Sequence, residues 1–381
     1  MAEKGNTTGR TARTIAMKGG GYYSQRTRGA KDVIDNASGM LVEAADAINP
    51  PDSGGPIVLA DFGAADGGTS ESALRKCIEQ IRGRFPHNQI QVTYTDLPSN
   101  DFSALFKNLL GVGPQAARTY LTDIENVFVS ACGIGFHRQL LPDASLDIGF
   151  SATAMHYISE KPCPIENHVH MVGASGETLT AYADQARQNW NDLLVARAKE
   201  LRPGGRLVML NFGIDEEGRY LGNTGGINMF DTFADIWGQM CNEGTISESE
   251  FINASFPQYY RTVEEFCAPF KDSDSPVYQA GLRLVSAKTG VVGCPYRRAF
   301  DEAGSAMSAR EFAKSYVPTL RSWSEAVFLS GLDDSRPMEE RHQIVDTFYQ
   351  RYEDRVASDP SGHAMDYVHC YLAVKKTADQ P

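Results

Sequence analysis

The chain has 381 residues, 42% of them hydrophobic and 22% charged, with a formal net charge of −12. That length suffices for one large or two modest domains with a real core. The acidic balance argues against a nucleic-acid binder or docking on an anionic membrane, and no apolar run approaches the roughly 18 residues of a membrane-spanning helix.

The opening stretch MAEKGNTTGRTARTIA is polar and lacks the apolar centre of a signal peptide. Residues 1–16 are expected to be a flexible lead-in, and the protein is expected in the cytoplasm. Seven cysteines at 77, 132, 163, 241, 267, 294 and 370 include no C-x-x-C pair. That pattern points to reduced thiols, not to a disulfide framework or a zinc site. His168-Val-His170 would place two rings on one face of a strand. With no acid or cysteine beside them in sequence, they are expected to be solvated or hydrogen-bonded, and no metal is expected.

In chain order, IVLADF (57–62) is a short buried strand. Residues 70–85 have helical spacing, with Ala73, Leu74, Cys77, Ile78 and Ile81 sharing a face. IQVTYTDL (90–97), ENVFVSA (125–131) and SLDIGFSA (145–152) are further strands. Residues 177–201 form a long amphipathic helix with Leu179, Ala183, Ala186, Trp190, Leu193, Leu194 and Leu201 inward. RPGG (202–205) is expected to stop it, and RLVMLNF (206–212) is the fifth strand. Beyond 213 comes a polar, glycine-rich loop, then a broken helical stretch over 227–270. A strand and loop at 282–293, helices near 308–330 and 337–357, and a closing strand at 364–376 complete the pattern. The alternation implies an α/β fold, a mostly parallel sheet with helices on both faces. A mainly helical cap over 214–275 would follow the fifth strand and roof the site, leaving 17–213 and 276–381 as the core.

The stretch IVLADFGAADGGTS (57–70) ends a strand in an acid and follows it with glycines. Glycine-rich turns suit phosphates because bare N–H groups can approach them. Here Asp61 and Asp66 would repel a phosphate. The turn, with Gly63, Gly67 and Gly68, is not the G-x-G-x-x-G of dinucleotide binders. Asp96 closes the second strand, where an acid accepts hydrogen bonds from ribose hydroxyls. A ligand with adenosine at one end and positive charge at the other satisfies all three acids, and S-adenosylmethionine has that make-up. The alternative is that Asp61 caps a turn and the glycines only permit positive φ.

MKGGGYYSQRT (17–27), ADFGAADGGTS (60–70), TDLPSNDFSALF (95–106), GFHRQLLP (135–142) and MHYISEKP (155–162) stand in the order and spacing of a known family. With FPQYYRT (256–262) and FYQRYEDRV (348–356), the chain resembles the SABATH methyltransferases along nearly its whole length. That family comprises plant carboxyl methyltransferases of salicylate, benzoate, jasmonate and indole-acetate, and caffeine-pathway N-methyltransferases. The resemblance implies a Rossmann-like class I methyltransferase sheet, S-adenosyl-L-methionine as methyl donor and S-adenosyl-L-homocysteine as product. It also implies a small carboxylic acid as acceptor, and a homodimer.

By position, the resemblance implies that Tyr23 and Thr27 contact the methionine part of the cofactor. Asp61 would hold its amino group, within the turn of Gly63, Asp66 and Thr69. Asp96 and Leu97 would hold the ribose and flank the adenine. Gly135 and Phe136 stand where the family has Ser-Phe at the adenine, so the serine is missing here. Lys18 falls near the methyl-transfer site. The family's substrate clamp, a glutamine and a tryptophan, corresponds to Ala30 and Tyr157, so the clamp is not reproduced residue for residue. His156 and Tyr157 would orient the acceptor oxygen without removing a proton, since a carboxylate is already ionised at pH 7. Met229, Phe230 and Trp237 are candidates to line the acceptor pocket, with helix core as their alternative, while Trp190 is expected in the core. The competing readings are methylation at nitrogen or sulfur, a nicotinamide dehydrogenase, and a non-catalytic cofactor-binding homologue.

Overall fold

The computed structural model describes residues 28–51, 54–112 and 118–378. Lys18, Tyr23 and Thr27 lie outside the described residues. The described residues begin with α1 (Arg28–Asn36) and α2 (Ser38–Ala47), neither of which the spacing had suggested. Then come β1 (Ile57–Phe62), α3 (Glu71–Arg84), β2 (Ile90–Thr95), α4 (Phe102–Leu109), α5 (Tyr120–Asp123), β3 (Val127–Cys132) and β4 (Leu146–Ala152). They are followed by α6 (Gly176–Glu200), β5 (Leu201–Ile214), α7 (Met229–Asn242), α8 (Glu248–Asn253), β6 (Arg261–Thr262), α9 (Val263–Lys271) and α10 (Pro276–Gln279). The chain ends with β7 (Leu282–Val292), α11 (Pro295–Ala303), α12 (Ala309–Gly331), α13 (Met338–Ser358) and β8 (Tyr367–Lys376).

The strand order is β3-β2-β1-β4-β5-β8-β7, with β6 paired to β5 off this path. β1 to β5 run parallel, and β8 is antiparallel to both of its neighbours. β1 sits in the middle and every one of its residues is buried, as an unbroken apolar run between two helical layers requires. Side chains alternate between two cores. Ile57, Leu59, Val208, Leu210 and Phe212 face α1 to α3 and the helices of the cap. Val58, Ala60, Leu207 and Met209 face α6 and α9. The five apolar residues expected on one face of α3 are all buried there.

RPGG does not turn the chain out of the sheet. Leu146 pairs with Leu201 and Ile148 with Arg206, so five steps on β5 match two on β4. The extra residues bulge within β5, where Gly204 has a φ of +83°. On α6 the expected inner side is buried at Ala186, Trp190, Leu193 and Leu194, with Leu179 and Ala183 half-buried, and what was unforeseen is a pair of charges buried beside it. Arg197 and Glu200 are fully buried and pair at 2.7 Å. His168 and His170 lie on a loop, not on a strand. His168 Nε2 stands 3.2 Å from Asp231, and His170 Nε2 stands 3.3 Å from Gln258.

The helical layer draws on more than 214–275. α12 packs along α13, α13 against α7, and α12 against α8. Phe233, Trp237, Phe328 and Phe348 interlock at ring separations of 4.2 to 5.7 Å. A helix of α7's length with one apolar stripe needs such a partner, and the insertion between β7 and β8 supplies it.

Candidate active site

The carboxyl ends of β1, β2 and β4 converge where an open α/β sheet binds its ligand. After β1, Gly63 (φ +82°), Ala65 (φ +49°) and Gly67 (φ +69°) make a tight turn. The N–H groups of Gly63 and Ala64 both donate to Thr95 O, at 2.8 and 3.1 Å. Glycine at 63 has a steric cause as well. A Cβ there would lie 2.4 Å from that of Ala154, just past β4, and 3.8 Å from the Phe136 ring.

Asp96 braces this turn from the end of β2. One carboxylate oxygen accepts from Ala65 N and the other from Leu97 N, each at 2.7 Å. Both oxygens keep a lone pair for further donors. Asp61 is 2% exposed and accepts the Ser70 hydroxyl at 2.6 Å. Burial is the main reason its pKa is pushed up to about 7, and the negative field of Asp96 adds to the effect. Burial raises the pKa of Asp96 too, against the pull of its two N–H donors. Among the described residues, no lysine or arginine pairs with either acid. Asp61 is buried and Asp96 half-buried, and an acid taken from water without a cationic side chain is the environment that a positively charged group would relieve.

Asp66 is engaged in its own loop, where its Oδ1 accepts from Gly68 N at 3.1 Å. Thr69 is buried beside it. The two segments expected at the adenine lie together: a Cβ on Gly135 would meet the Leu97 side chain at 3.2 Å, a tight approach that glycine avoids. Arg197 and Glu200 hold the loop carrying Gly135 and Phe136. The guanidinium donates to Phe136 O and Arg138 O at 3.0 and 2.8 Å, and the carboxylate accepts from Leu140 N and Leu141 N at 2.5 and 3.1 Å. The pair is therefore buried with its hydrogen-bonding capacity used, the condition under which a buried ion pair is tolerable.

The segment expected at the acceptor follows β4. Ile158 N donates to Pro257 O at 2.9 Å and Tyr259 N to His156 O at 3.0 Å, while Tyr157 and Gln258 form an antiparallel bridge. The segments MHYIS and FPQYY thus run side by side. Together they wall a small cavity of about 20 Å³. His156, Tyr157, Gln258, Tyr260 and Thr153 line it from this side. Phe212, Leu221, Trp323, Met365 and Tyr367 close it from β5, the following loop, α12 and the start of β8.

His156 is 1% exposed, and burial holds its pKa well below the ordinary histidine value. It is therefore neutral at pH 7, and its Nδ1 has no hydrogen-bond partner among the described residues. Burial pushes the Tyr157 phenol up to about 12, so it stays a donor.

Ala30 is buried in the core and does not line this cavity, although its neighbour Gly29 abuts the Tyr367 ring. Met229 and Phe230 also stand back from it. Phe230 stacks on His170 at 4.0 Å and packs edge-on against Trp323, one layer outside the lining. Besides Tyr157 and Tyr260, the rings that reach the cavity come from β5, β8 and α12, while Phe230 in the first turn of α7 is taken up by packing against His170. Trp190 is core, its indole N–H donating to Phe266 O at 3.1 Å. Gln258 and Tyr260 lay within a stretch that carried the resemblance. Nothing in the pattern of α12 marked Trp323.

The family model for SAM-dependent carboxyl methyltransferases matches residues 12–377. The chain belongs to this family. It is 26% identical over 271 residues to loganic acid O-methyltransferase of Catharanthus roseus, covering 65% of this chain and 70% of that one. It is 28% identical over 214 residues to salicylate carboxymethyltransferase of Clarkia breweri, covering 53% and 56% respectively. The fold matches a solved loganic acid methyltransferase with a TM-score of 0.69 at 21% identity, over 95% of this chain and 98% of that chain. This carboxyl methyltransferase therefore uses S-adenosylmethionine, and its α/β sheet is that of the class I methyltransferases.

Proposed function

We propose that the protein esterifies a small, largely apolar monocarboxylic acid held between His156, Tyr157 and the aromatic wall. The observation that carries this reading is the make-up of the cavity. It is small, four aromatic rings close it, and the described residues lining it include no lysine or arginine. A second charge or a cluster of hydroxyls on the acceptor would be buried there without partners.

The cofactor fits the residues present. Asp61 would hold its amino group, Asp96 its ribose hydroxyls, and Leu97 and Phe136 would flank its adenine. When bound, S-adenosylmethionine supplies an electrophilic methyl group on a sulfonium. The chain's own part is to align. His156, neutral, and Tyr157, protonated, can each donate one hydrogen bond to a carboxylate oxygen and aim it. Such positioning contributes roughly 7–11 kcal/mol in favourable cases. The aromatic wall excludes water, which favours collapse of opposite charges into a neutral ester. No proton has to be removed. A cytoplasmic homodimer belongs to the same reading. Seven free cysteines support the compartment, and the family resemblance supports the dimer.

The test has two stages. Calorimetric titration with S-adenosylhomocysteine, with NAD as control, should show micromolar binding of the first alone. Labelled methyl transfer to benzoate, salicylate and indole-3-acetate should then give an alkali-labile product. An alkali-stable product would move the reading to methylation at nitrogen.

A further inference from the structure

Thr153 follows β4 and starts the turn that delivers His156 and Tyr157. Its φ is +57°, a left-handed conformation that β-branched residues rarely adopt. Its N–H donates to Leu210 O at 2.7 Å, and its hydroxyl lies 3.2 Å from Nε2 of His369. Ala154, the next residue, is the one that crowds Gly63. Thr153 thus lines the acceptor cavity while fixed beside the cofactor turn. Backbone strain of this kind persists where the surroundings over-determine it, and it concentrates at ligand sites.

His369 stands behind Thr153 on β8, in register with Phe212 of β5. It is completely buried, packs against Phe212 at 4.4 Å, and does not itself line the cavity. Burial holds its pKa down to about 3, so the imidazole is neutral and carries one N–H. Nδ1 has no hydrogen-bond partner among the described residues. A proton there would be a buried donor with nothing to accept it, whereas on Nε2 it meets the Thr153 oxygen. The hydroxyl then accepts from His369 and keeps its own hydrogen to give.

We infer that Thr153 donates a hydrogen bond to the acceptor carboxylate, and that His369 is the positioning residue that sets the direction of that donor. The inference rests on the carboxyl-methylation reading. It also answers the shortage of donors that Ala30 leaves: Thr153 stands across the same cavity from residues of β5, β8 and α12 and supplies the missing one.

The test is methyl-ester formation from S-adenosylmethionine with benzoate, salicylate and indole-3-acetate, run beside S-adenosylhomocysteine titrations. Thr153→Val keeps the shape and removes the hydroxyl. It should lower kcat/KM roughly 10- to 100-fold, the worth of one hydrogen bond to a charged group, with cofactor affinity unchanged. Thr153→Ser should recover activity to within about threefold of the parent. His369→Gln, which can still donate, should outperform His369→Phe. In the Thr153→Val background, His369→Phe should add no further loss of kcat/KM, because the group it orients is already gone. Losses that multiply would reduce His369 to a structural role and overturn that half. If His369→Phe fails to fold, the Thr153→Val and Thr153→Ser pair decides the donor. Parent-like turnover by Thr153→Val would overturn the inference and leave the function standing. A parent enzyme that binds S-adenosylhomocysteine but esterifies none of the acids would bring down both.

Discussion

The cofactor turn and the acceptor cavity touch at Gly63 and Ala154, yet they are built in opposite ways. The turn is made by short segments at the ends of neighbouring parallel strands: Asp61 to Ser70 after β1 and Asp96 to Asn100 after β2. Its acids are braced from within these two segments, Asp96 by the N–H groups of Ala65 and Leu97 and Asp61 by the Ser70 hydroxyl. The cavity takes one to three residues each from β4's turn, β5, the loop after it, the 256–262 segment, α12 and the start of β8. Its polar groups are neutral, and two of its histidine neighbourhoods hold ring nitrogens without partners. A charged, locally braced half suits a ligand common to a whole family. A neutral wall gathered from distant segments can change its acceptor with single substitutions and leave the cofactor in place.

The largest effect that would break this comparison lies under the cofactor half. Arg197→Met leaves Glu200 buried and unpaired, and should destabilise the fold by about 3–5 kcal/mol. Thermal unfolding should show the loss, and Arg197→Met combined with Glu200→Leu should recover much of it. Equal instability of the double variant would mean that the pair is not the brace of the 135–142 loop.

Asp96→Ala comes next. It removes the acceptor for Ala65 N and Leu97 N together with the proposed ribose contact. It should weaken S-adenosylhomocysteine binding by at least about 30-fold, or about 2 kcal/mol. His156→Ala or Tyr157→Phe should instead lower methyl transfer about 10-fold or more with cofactor affinity nearly intact. Unchanged turnover in both would remove the acceptor site from this cavity.

The pH response of Asp61 sharpens the contrast. In the ligand-free protein its pKa is raised from 3.8 to about 7. The stability this carboxyl contributes is therefore fully present below about pH 4 and is lost as pH rises through about 7. A bound ammonium reverses the preference. S-adenosylhomocysteine affinity should rise with pH up to about 7, by as much as about tenfold per unit, with proton release visible in buffers of different ionisation enthalpy. Asp61→Asn should flatten that dependence. The smallest effect is expected at Phe230. Phe230→Leu should cost about 1 kcal/mol of stability and leave the ranking of acids unchanged, because Phe230 packs behind the lining rings of Tyr260 and Trp323 and does not line the cavity itself.

Much of the fold was legible because its signals are local. β1 and α3 follow from an unbroken apolar run and a repeating apolar face. The turn after β1 announced its ligand through two acids set among glycines. RPGG misled because its local preference is for a turn, and pairing with β4 was strong enough to hold it in the sheet as a bulge. The buried Arg197–Glu200 pair was illegible for a related reason. Charges spaced on a helix read as a solvated face until the 136–141 backbone arrives to satisfy them.

By itself, then, the sequence determined a mostly parallel α/β sheet, an acidic glycine turn at the end of β1, and the family to which the chain belongs. Only the tertiary structure decided the acceptor wall. Thr153, Trp323 and His369 are 170 and 46 residues apart along the chain, and their meeting depends on strand register and helix packing, which no local pattern encodes.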